Sequence, residues 1–452
     1  MTTLLAVPAV PSGETPVPSG DTPGAAPARS LWHHGDFVKL WSGETISQLG
    51  STVTREALPL TALLTLGASP LQMGILAALS GAPALLFGLL AGVWVDRLRR
   101  RPIMIVADLG RALLLLSIPA AALTGHLRLA QLLMVAPLIG TLTVLFNVAY
   151  ESYVPTLVRR HQLVEANGKL ALSGAIAEVT APGLAGVLVQ AITGPMAVLL
   201  DAVSFVCSAA MVALIRTPEP PPTRSAGRQH VLREATHGMG VVLRHPVLRA
   251  MGASTVMRSF FGNFFATVYA LYALRELHMG PALLGLAVAC GGVGSLVGAM
   301  VAGPATRRLG VGPAVLAAGV VARLASLLTP LAAGPALVAA GFLMTSQLVG
   351  DGASSVAEIA STSLQQALAP RRMLGRVNAS MQLMALGVAP IGALTGGVLA
   401  EAIGARATLW VAVLGSVPAL LWLVFSPLPH LHALPAGADH SAIDDEVPPY
   451  LV

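Results

Sequence analysis

Lysine is almost missing from this chain. Only Lys39 and Lys169 occur in 452 residues. Neither closes a Gly-x-x-x-x-Gly-Lys-Ser/Thr loop, since Leu170 follows Lys169, so no ATP-hydrolysing engine is recognisable. Cysteine is equally scarce. Cys207 and Cys290 both fall in apolar runs and suggest neither a disulfide framework nor a zinc site. Charged residues make up 11% of the chain against 55% hydrophobic, far too few for a soluble surface of this size. All eleven histidines lie in predicted loops or tails, so no histidine relay or metal site crosses an apolar run. No metal and no cofactor is expected.

Apolar segments of membrane length recur almost from end to end. Twelve spans are predicted, at 38–64, 71–95, 103–123, 129–150, 169–192 and 195–215, then at 249–273, 282–303, 313–333, 336–358, 377–401 and 406–426. Residues 1–36 hold six prolines with Gly, Ser and Thr, and read as a disordered cytoplasmic tail. The start lacks a basic region, which argues against a cleaved signal peptide. Residues 216–248 form the longest internal polar stretch and divide the chain into six-span bundles at 37–215 and 249–426. The end, 427–452, is Pro-rich and acidic and reads as a second cytoplasmic tail.

Charge supports that threading. The short loop Asp96-Arg97-Leu98-Arg99-Arg100-Arg101 lies between two spans and should stay cytoplasmic. Of the 27 Lys and Arg, Arg128, Arg275 and Arg406 fall outside, four fall within spans, and the other twenty fall inside. Positive-inside topology therefore explains the net charge of +6 without nucleic acid. The expected location is the cell membrane, multi-pass, with both termini cytoplasmic.

The halves repeat. Leu163-Val-Glu-Ala-Asn167 enters span five as Leu374-Gly-Arg-Val-Asn378 enters span eleven. Arg111 in span three has Arg323 in span nine, and Gly92 before Asp96-Arg97 has Gly303 before Arg307-Arg308. Two related six-span halves with a midplane site between them describe secondary transporters. The fold class is thus an all-α membrane protein of two pseudo-symmetric six-helix bundles.

Gly92-x-x-x-Asp96-Arg97-x-x-Arg100-Arg101 resembles the loop 2–3 signature of the major facilitator superfamily, with Arg99 where that signature usually has glycine. Phe37-x-x-Leu40-Trp41-x-Gly43, Asp108-x-x-Arg111 and the 163–167 entry resemble a branch that includes macrolide-efflux-like and siderophore-exporter-like proteins. Ala181-Pro182-Gly183-Leu184-Ala185-Gly186 resembles the antiporter signature of drug exporters, with alanine for its first glycine. The resemblance implies that Asp96 and the arginines after it form a gate latch between the bundles. The plainer reading is a loop that only sets topology.

Several ionisable residues fall within spans, where each is a functional candidate by default. Asp108 and Arg111 share a helical face and can pair near the inner gate, as a structural pair or as part of coupling. Glu56 and Glu178 lead as proton or cation sites, with an interhelical salt bridge as the alternative. Arg55 neighbours Glu56 but points about 100° away on a helix. Asp351, Arg258 and Arg323 either pair with first-half acids across the cavity or hold the second half together. Glu44, Glu151 and Glu358 are read as solvated near the inner surface. Gly88-x-x-x-Gly92 and Gly294-x-x-x-Gly298 allow close helix approach and are expected at sliding interfaces. Pro182 and Pro390 permit bends in spans five and eleven.

The leading functional expectation is a secondary exporter of a small amphipathic molecule, exchanged for protons across the lipid bilayer. An importer or facilitator of the same fold is the alternative. An intramembrane protease is disfavoured because Leu348 stands where its Gly-x-Gly-Asp site needs glycine, and no second aspartate in a matching Tyr-Asp context appears. A non-transporting sensor is the remote alternative. No catalytic residue is assigned.

Overall fold

The computed structural model describes residues 31–95, 98–219 and 231–432. The first half comprises α1 (Gly35–Leu64), α2 (Pro70–Val95), α3 (Arg100–Leu123), α4 (Leu129–Leu157), α5 (Leu163–Ile192) and α6 (Gly194–Ala213). A connector helix α7 (Val231–Arg244) leads to α8 (Pro246–Leu271), α9 (Pro281–Leu309) and α10 (Val311–Ser326), which runs on as the short α11 (Leu328–Leu331). Then come α12 (Ala336–Leu368), α13 (Leu374–Ile403), α14 (Ala405–Gly415) and α15 (Pro418–Val424).

Ten segments among the described residues are long and apolar enough to cross a membrane, with α10–α11 and α14–α15 each counting as one. α1 and α8 fall short by composition, because they carry Asp36, Lys39, Glu44, Arg55 and Glu56 in one and Arg249 and Arg258 in the other. Both pack inside the same bundles, α1 on α5 and α6, α8 on α13 and α14, so the set is consistent with twelve spans. Large apolar side chains point outward, as Val106, Leu113, Met300 and Leu337 do. Lipid-facing surface explains that pattern where water would not.

The apolar core is unevenly distributed. At the end away from the basic loops, here the far end, one cluster joins both halves, including Leu60, Leu76, Leu115, Val189, Tyr272, Leu284 and Leu409. At the basic-loop end each half has its own cluster. One gathers Phe37, Met104, Tyr153 and Val212. The other gathers Val242, Leu248, Val315 and Val377.

Helical turns occur at the edges of the expected tails and within the expected connector. Leu31–His33 form a single 3-10 turn with Leu31 fully buried, and the His34 side chain accepts the Phe37 N–H at 3.1 Å to start α1. Leu428–His430 form another turn, and Gly312 N–H donates to the Leu431 carbonyl at 2.9 Å. The rest of both tails, and 220–230 of the connector, lie outside the described residues. Within the connector, α7 docks on α13, where any side chain at Gly238 would strike the Arg376 carbonyl.

The start of the connector is clamped to the first half. The Asp36 carboxylate accepts Lys39 Nζ at 2.8 Å, Thr217 Oγ1 at 2.7 Å, and the backbone N–H groups of Arg216 and Thr217 at 3.1 and 2.9 Å. Burial pushes this carboxyl up, but those hydrogen bonds outweigh it and hold it well below the usual aspartate range. Two residues on, Glu219 accepts the Arg100 and Arg101 backbone N–H groups at 2.6 and 3.3 Å, where a negative charge suits the N-terminus of α3.

Candidate functional site

A cavity of about 640 Å³ lies between the halves. It reaches from Met73 and Leu76, near the far end, to Glu44 and Asn147 toward the basic-loop end. α1, α2 and α4 supply most of its wall, α5 adds Glu178, and α8 adds Asn263, Ala266, Thr267 and Ala270.

Arg55 and Glu178 meet in this cavity. Arg55 Nη1 donates to Glu178 Oε1 at 3.1 Å and Nη2 to Oε2 at 2.6 Å, a two-pronged pair between α1 and α5. Both side chains are more than half exposed, so they face the open space rather than a dry core. Glu56 sits beside them, with Arg55 Nε 3.8 Å from its Oε1. Three residues singled out separately in the sequence thus form one group.

Asp108 and Arg111 pair across one turn of α3, and both are almost wholly buried. The guanidinium lies between two rings, 4.4 Å from the centroid of Phe146 and 4.1 Å from that of Phe205. Two carboxylates outside the sequence-based candidates complete this cluster. Asp201 of α6 is 1% exposed and accepts Ser204 Oγ at 2.8 Å. Glu44 lines the cavity, and one of its oxygens is buried without a hydrogen-bond partner among the described residues. The signal for Asp201 is present in the sequence, as a single carboxylate inside the apolar run 195–215. The expectation that Glu44 is solvated is corrected, because α1 starts at Gly35 and leaves Glu44 about 13 Å inside the helix. Glu151 and Glu358 are exposed.

The second half lacks a matching acid cage among the described residues. Arg323 donates to Ser416 Oγ at 3.0 Å, and Arg258 makes no hydrogen bond or ion pair among the described residues. Neither reaches a first-half acid, which corrects that branch of the expectation. Asp351 lies against Gly291 of α9, away from the main cavity.

Gly92 falls in α2, whereas Asp96 and Arg97, the centre of the expected latch, lie outside the described residues. Arg101 donates to the Val212 and Ala213 carbonyls at 3.1 and 2.6 Å, closing the C-terminus of α6. Arg100 contributes its backbone N–H to Glu219.

The far end is closed by two copies of one clasp. Leu71 N–H, at the start of α2, donates to Glu401 of α13 at 3.1 Å; Ala282 N–H, at the start of α9, donates to Gln190 of α5 at 3.1 Å. One turn deeper, Gly74 meets Gly397 and Gly186 meets Gly285. Residues 71, 74, 186 and 190 become 282, 285, 397 and 401 on adding 211, the same offset as in the sequence repeat. The Pro182–Gly186 segment therefore serves one of these seams: a Cβ on Gly285 would strike the Pro182 carbonyl, and one on Gly183 would touch Ala289 at 3.6 Å. Arg275, in the π-turn after α8, adds a bond to the Ala68 carbonyl at 2.8 Å. Gly294 and Gly298, by contrast, pack on Leu348 and Gly352 of α12 inside the second half, which corrects their expected place at a sliding interface.

Two pseudo-symmetric helical bundles around a shared cavity, clasped at one end, define a multi-pass membrane transporter rather than an enzyme. The chain belongs to the transmembrane secretion effector family of the major facilitator superfamily, whose model matches residues 26–447. It is 27% identical over 396 residues to the multidrug efflux pump Tap of Mycolicibacterium fortuitum, covering 85% of this chain and 93% of that protein. It is 25% identical over 217 residues to macrolide efflux protein A of Streptococcus pyogenes, covering 48% of this chain and 53% of that one. Among solved structures, a bacterial homologue of the iron transporter ferroportin in an inward-facing state superposes with a TM-score of 0.68 at 19% identity, covering 86% of this chain and 98% of that one. The nucleoside transporter NupG gives 0.61 at 13% identity, covering 86% and 98%. These two likenesses concern the fold alone.

Proposed function

We propose that the protein exports a small amphipathic molecule across the cell membrane in exchange for protons, by alternating access, with both termini in the cytoplasm. The observation that carries this reading is the uneven core. One apolar cluster seals the halves together at the far end, while two separate clusters leave them apart at the basic-loop end. With basic loops inside, that arrangement is an inward-facing state able to load cargo from the cytoplasm. The kinship to efflux pumps supports the outward direction.

A cavity of about 640 Å³ suits a drug-sized molecule. Arg55 and Glu178 stand in its wall with Glu56 beside them, and a carboxylate that takes up a proton there releases its arginine and changes the field that cargo meets. Glu44 and Asp201 add two carboxylates with no arginine of their own. A proton drives transport only if it favours one facing state, so coupling requires that these groups differ in exposure between states. The loop from Gly92 through Asp96, Arg97, Arg100 and Arg101 acts as the inner latch, with Asp108 and Arg111 beneath it.

The test is transport in liposomes. Purified protein under an imposed pH gradient, acidic on the face opposite the cytoplasmic one, should drive ethidium or a macrolide against its gradient. Glu178→Gln and Glu56→Gln should uncouple it. Movement that ignores the gradient in the wild-type chain, or that runs toward the cytoplasmic face, overturns the proposal.

A further inference from the structure

We infer that the second half holds an oxyanion site. Arg258 of α8 and Arg323 of α10 receive a carboxylate or phosphate group carried by the cargo, while the acids of the first half face its basic part. The inference rests on the exporter reading above and narrows the cargo to an amphipathic zwitterion.

The two arginines lie at one depth. α8 and α10 both start at the basic-loop end, and each arginine stands twelve residues in, about 18 Å along its helix. Contacts also bring them together sideways. Arg323 donates to Ser416 Oγ at 3.0 Å, at the break between α14 and α15. The residue before it, Gly415, lies against the ring of Phe261, one turn beyond Arg258 in α8. The two like charges are near enough to repel each other.

Arg258 faces open space. It shares a stripe of α8 with Gly262 and Ala266, at four-residue spacing. Ala266 lines the main cavity, and a Cβ on Gly262 would meet nothing within 4 Å. The stripe therefore runs from the cavity wall about 12 Å toward the basic-loop end, where the halves stand apart. Subtracting the repeat offset of 211 turns these three positions into Ser47, Ser51 and Arg55, which all line the main cavity. The same offset makes Ser416 the counterpart of Phe205, against which Arg111 is stacked. Arg323 and Arg111 thus aim at equivalent places in the two halves.

The difference lies in what answers them. Arg111 has Asp108, with Asp201 and Glu44 in the same cluster. Arg258 makes no hydrogen bond or ion pair among the described residues, and Arg323 has a hydroxyl where a carboxylate would neutralise it. Asp351 does not serve, because it lies against Gly291 and lines a separate cavity. A bare guanidinium at membrane depth is costly, and an incoming anion removes that cost. The planar fork of arginine matches the paired oxygens of a carboxylate or phosphate. Glu178, in the main cavity, offers the opposite charge to the amine end of the same molecule.

The test uses the full chain in detergent. The probes are ciprofloxacin, which carries a carboxylate and an amine, and its ethyl ester, which keeps only the amine. The wild type should bind the acid about 10-fold more tightly than the ester. Arg258→Gln should remove that preference and leave ester affinity unchanged, and Arg258→Lys should keep part of it. This variant breaks no bond among the described residues, so the fold is not at issue. Arg323→Gln, which also frees Ser416, should act in the same direction. Acid and ester bound alike by the wild type, or neither bound, overturns the site, as does a preference that survives both substitutions to Gln. Binding should be the same when gluconate replaces chloride. Ester binding that needs chloride in the wild type but not in Arg258→Gln would put a free anion in the site and overturn its assignment to cargo. In liposomes, acid driven toward the cytoplasmic face would overturn export and leave the oxyanion site standing.

Discussion

Glu401 and Leu71 hold α13 to α2 through one hydrogen bond of 3.1 Å, and their counterparts in the repeat, Gln190 and Ala282, hold α5 to α9 at the same distance. The carboxylate copy faces the positive end of a helix and should be the stronger of the two. Glu401→Ala should weaken far-end closure by about 1 kcal/mol. Glu401→Gln, which makes the copies alike, should cost less. Spin-label distances between the 64–70 loop and residue 404 would report the shift, with a longer population growing in Glu401→Ala.

Gly74, Gly186, Gly285 and Gly397 leave no room for a side chain. A Cβ on Gly397 would sit 2.8 Å from the Pro70 carbonyl and 2.9 Å from Gly74 Cα. Gly397→Val should therefore wedge the far end open at a cost of about 1–3 kcal/mol to the closed form. Cysteines placed in the far-end cavity wall would become reactive to a membrane-impermeant thiol reagent. Unchanged reactivity would mean that the seam yields elsewhere.

Asp108→Ala should destabilise the fold by about 3–5 kcal/mol, because it strands the buried Arg111 between Phe146 and Phe205 without its partner. Arg55→Ala should cost at most about 1 kcal/mol, since its pair with Glu178 is wet, yet it should abolish coupling. Thermal unfolding in detergent separates the two. Exchanging the charges, Arg55→Glu with Glu178→Arg, should recover stability more fully than transport.

Asp36 gives a pH signature at the connector. Its carboxyl is held below the ordinary aspartate value of about 4, so its stabilising contribution is complete above that pH and fades as pH falls below it. Protease cleavage between residues 216 and 230 should accelerate below about pH 4 in the wild type. Asp36→Asn should be cleaved quickly at neutral pH and show much less of that dependence.

Thr193 occupies φ 77°, ψ 158°, a conformation suited to glycine, and its repeat counterpart Gly404 takes φ 86°, ψ 161°. Thr193→Gly should raise stability by about 1 kcal/mol if the relief of backbone strain exceeds the added freedom of the unfolded chain. A lower melting temperature would count against strain at this turn.

The architecture is legible in the sequence because lipid forces backbone polar groups into helices, so apolar run length and basic-loop alternation mark the spans. The repeat offset relates the two clasps to each other, although nothing in the sequence says that 71 faces 401. Pairings between helices are the illegible part. Asp108 with Arg111 follows from spacing on one helix, whereas Arg55 with Glu178 joins residues 123 apart and depends on how α1 and α5 are rotated. Asp201 is visible in the sequence as a lone carboxylate in an apolar run, but its place beside the Asp108–Arg111 pair depends on how α6 packs on α3. The polar composition of 216–248 hides the connector helix, and its place on α13 depends on packing at Gly238.

The glycine seams also bear on how fast the molecule can switch. Where two helices meet through bare backbone, few rotamers freeze on closing or thaw on parting, so the loss of side-chain entropy is small. Such a joint can be tight in each resting form and still be quick to break, which a turnover cycle demands of it.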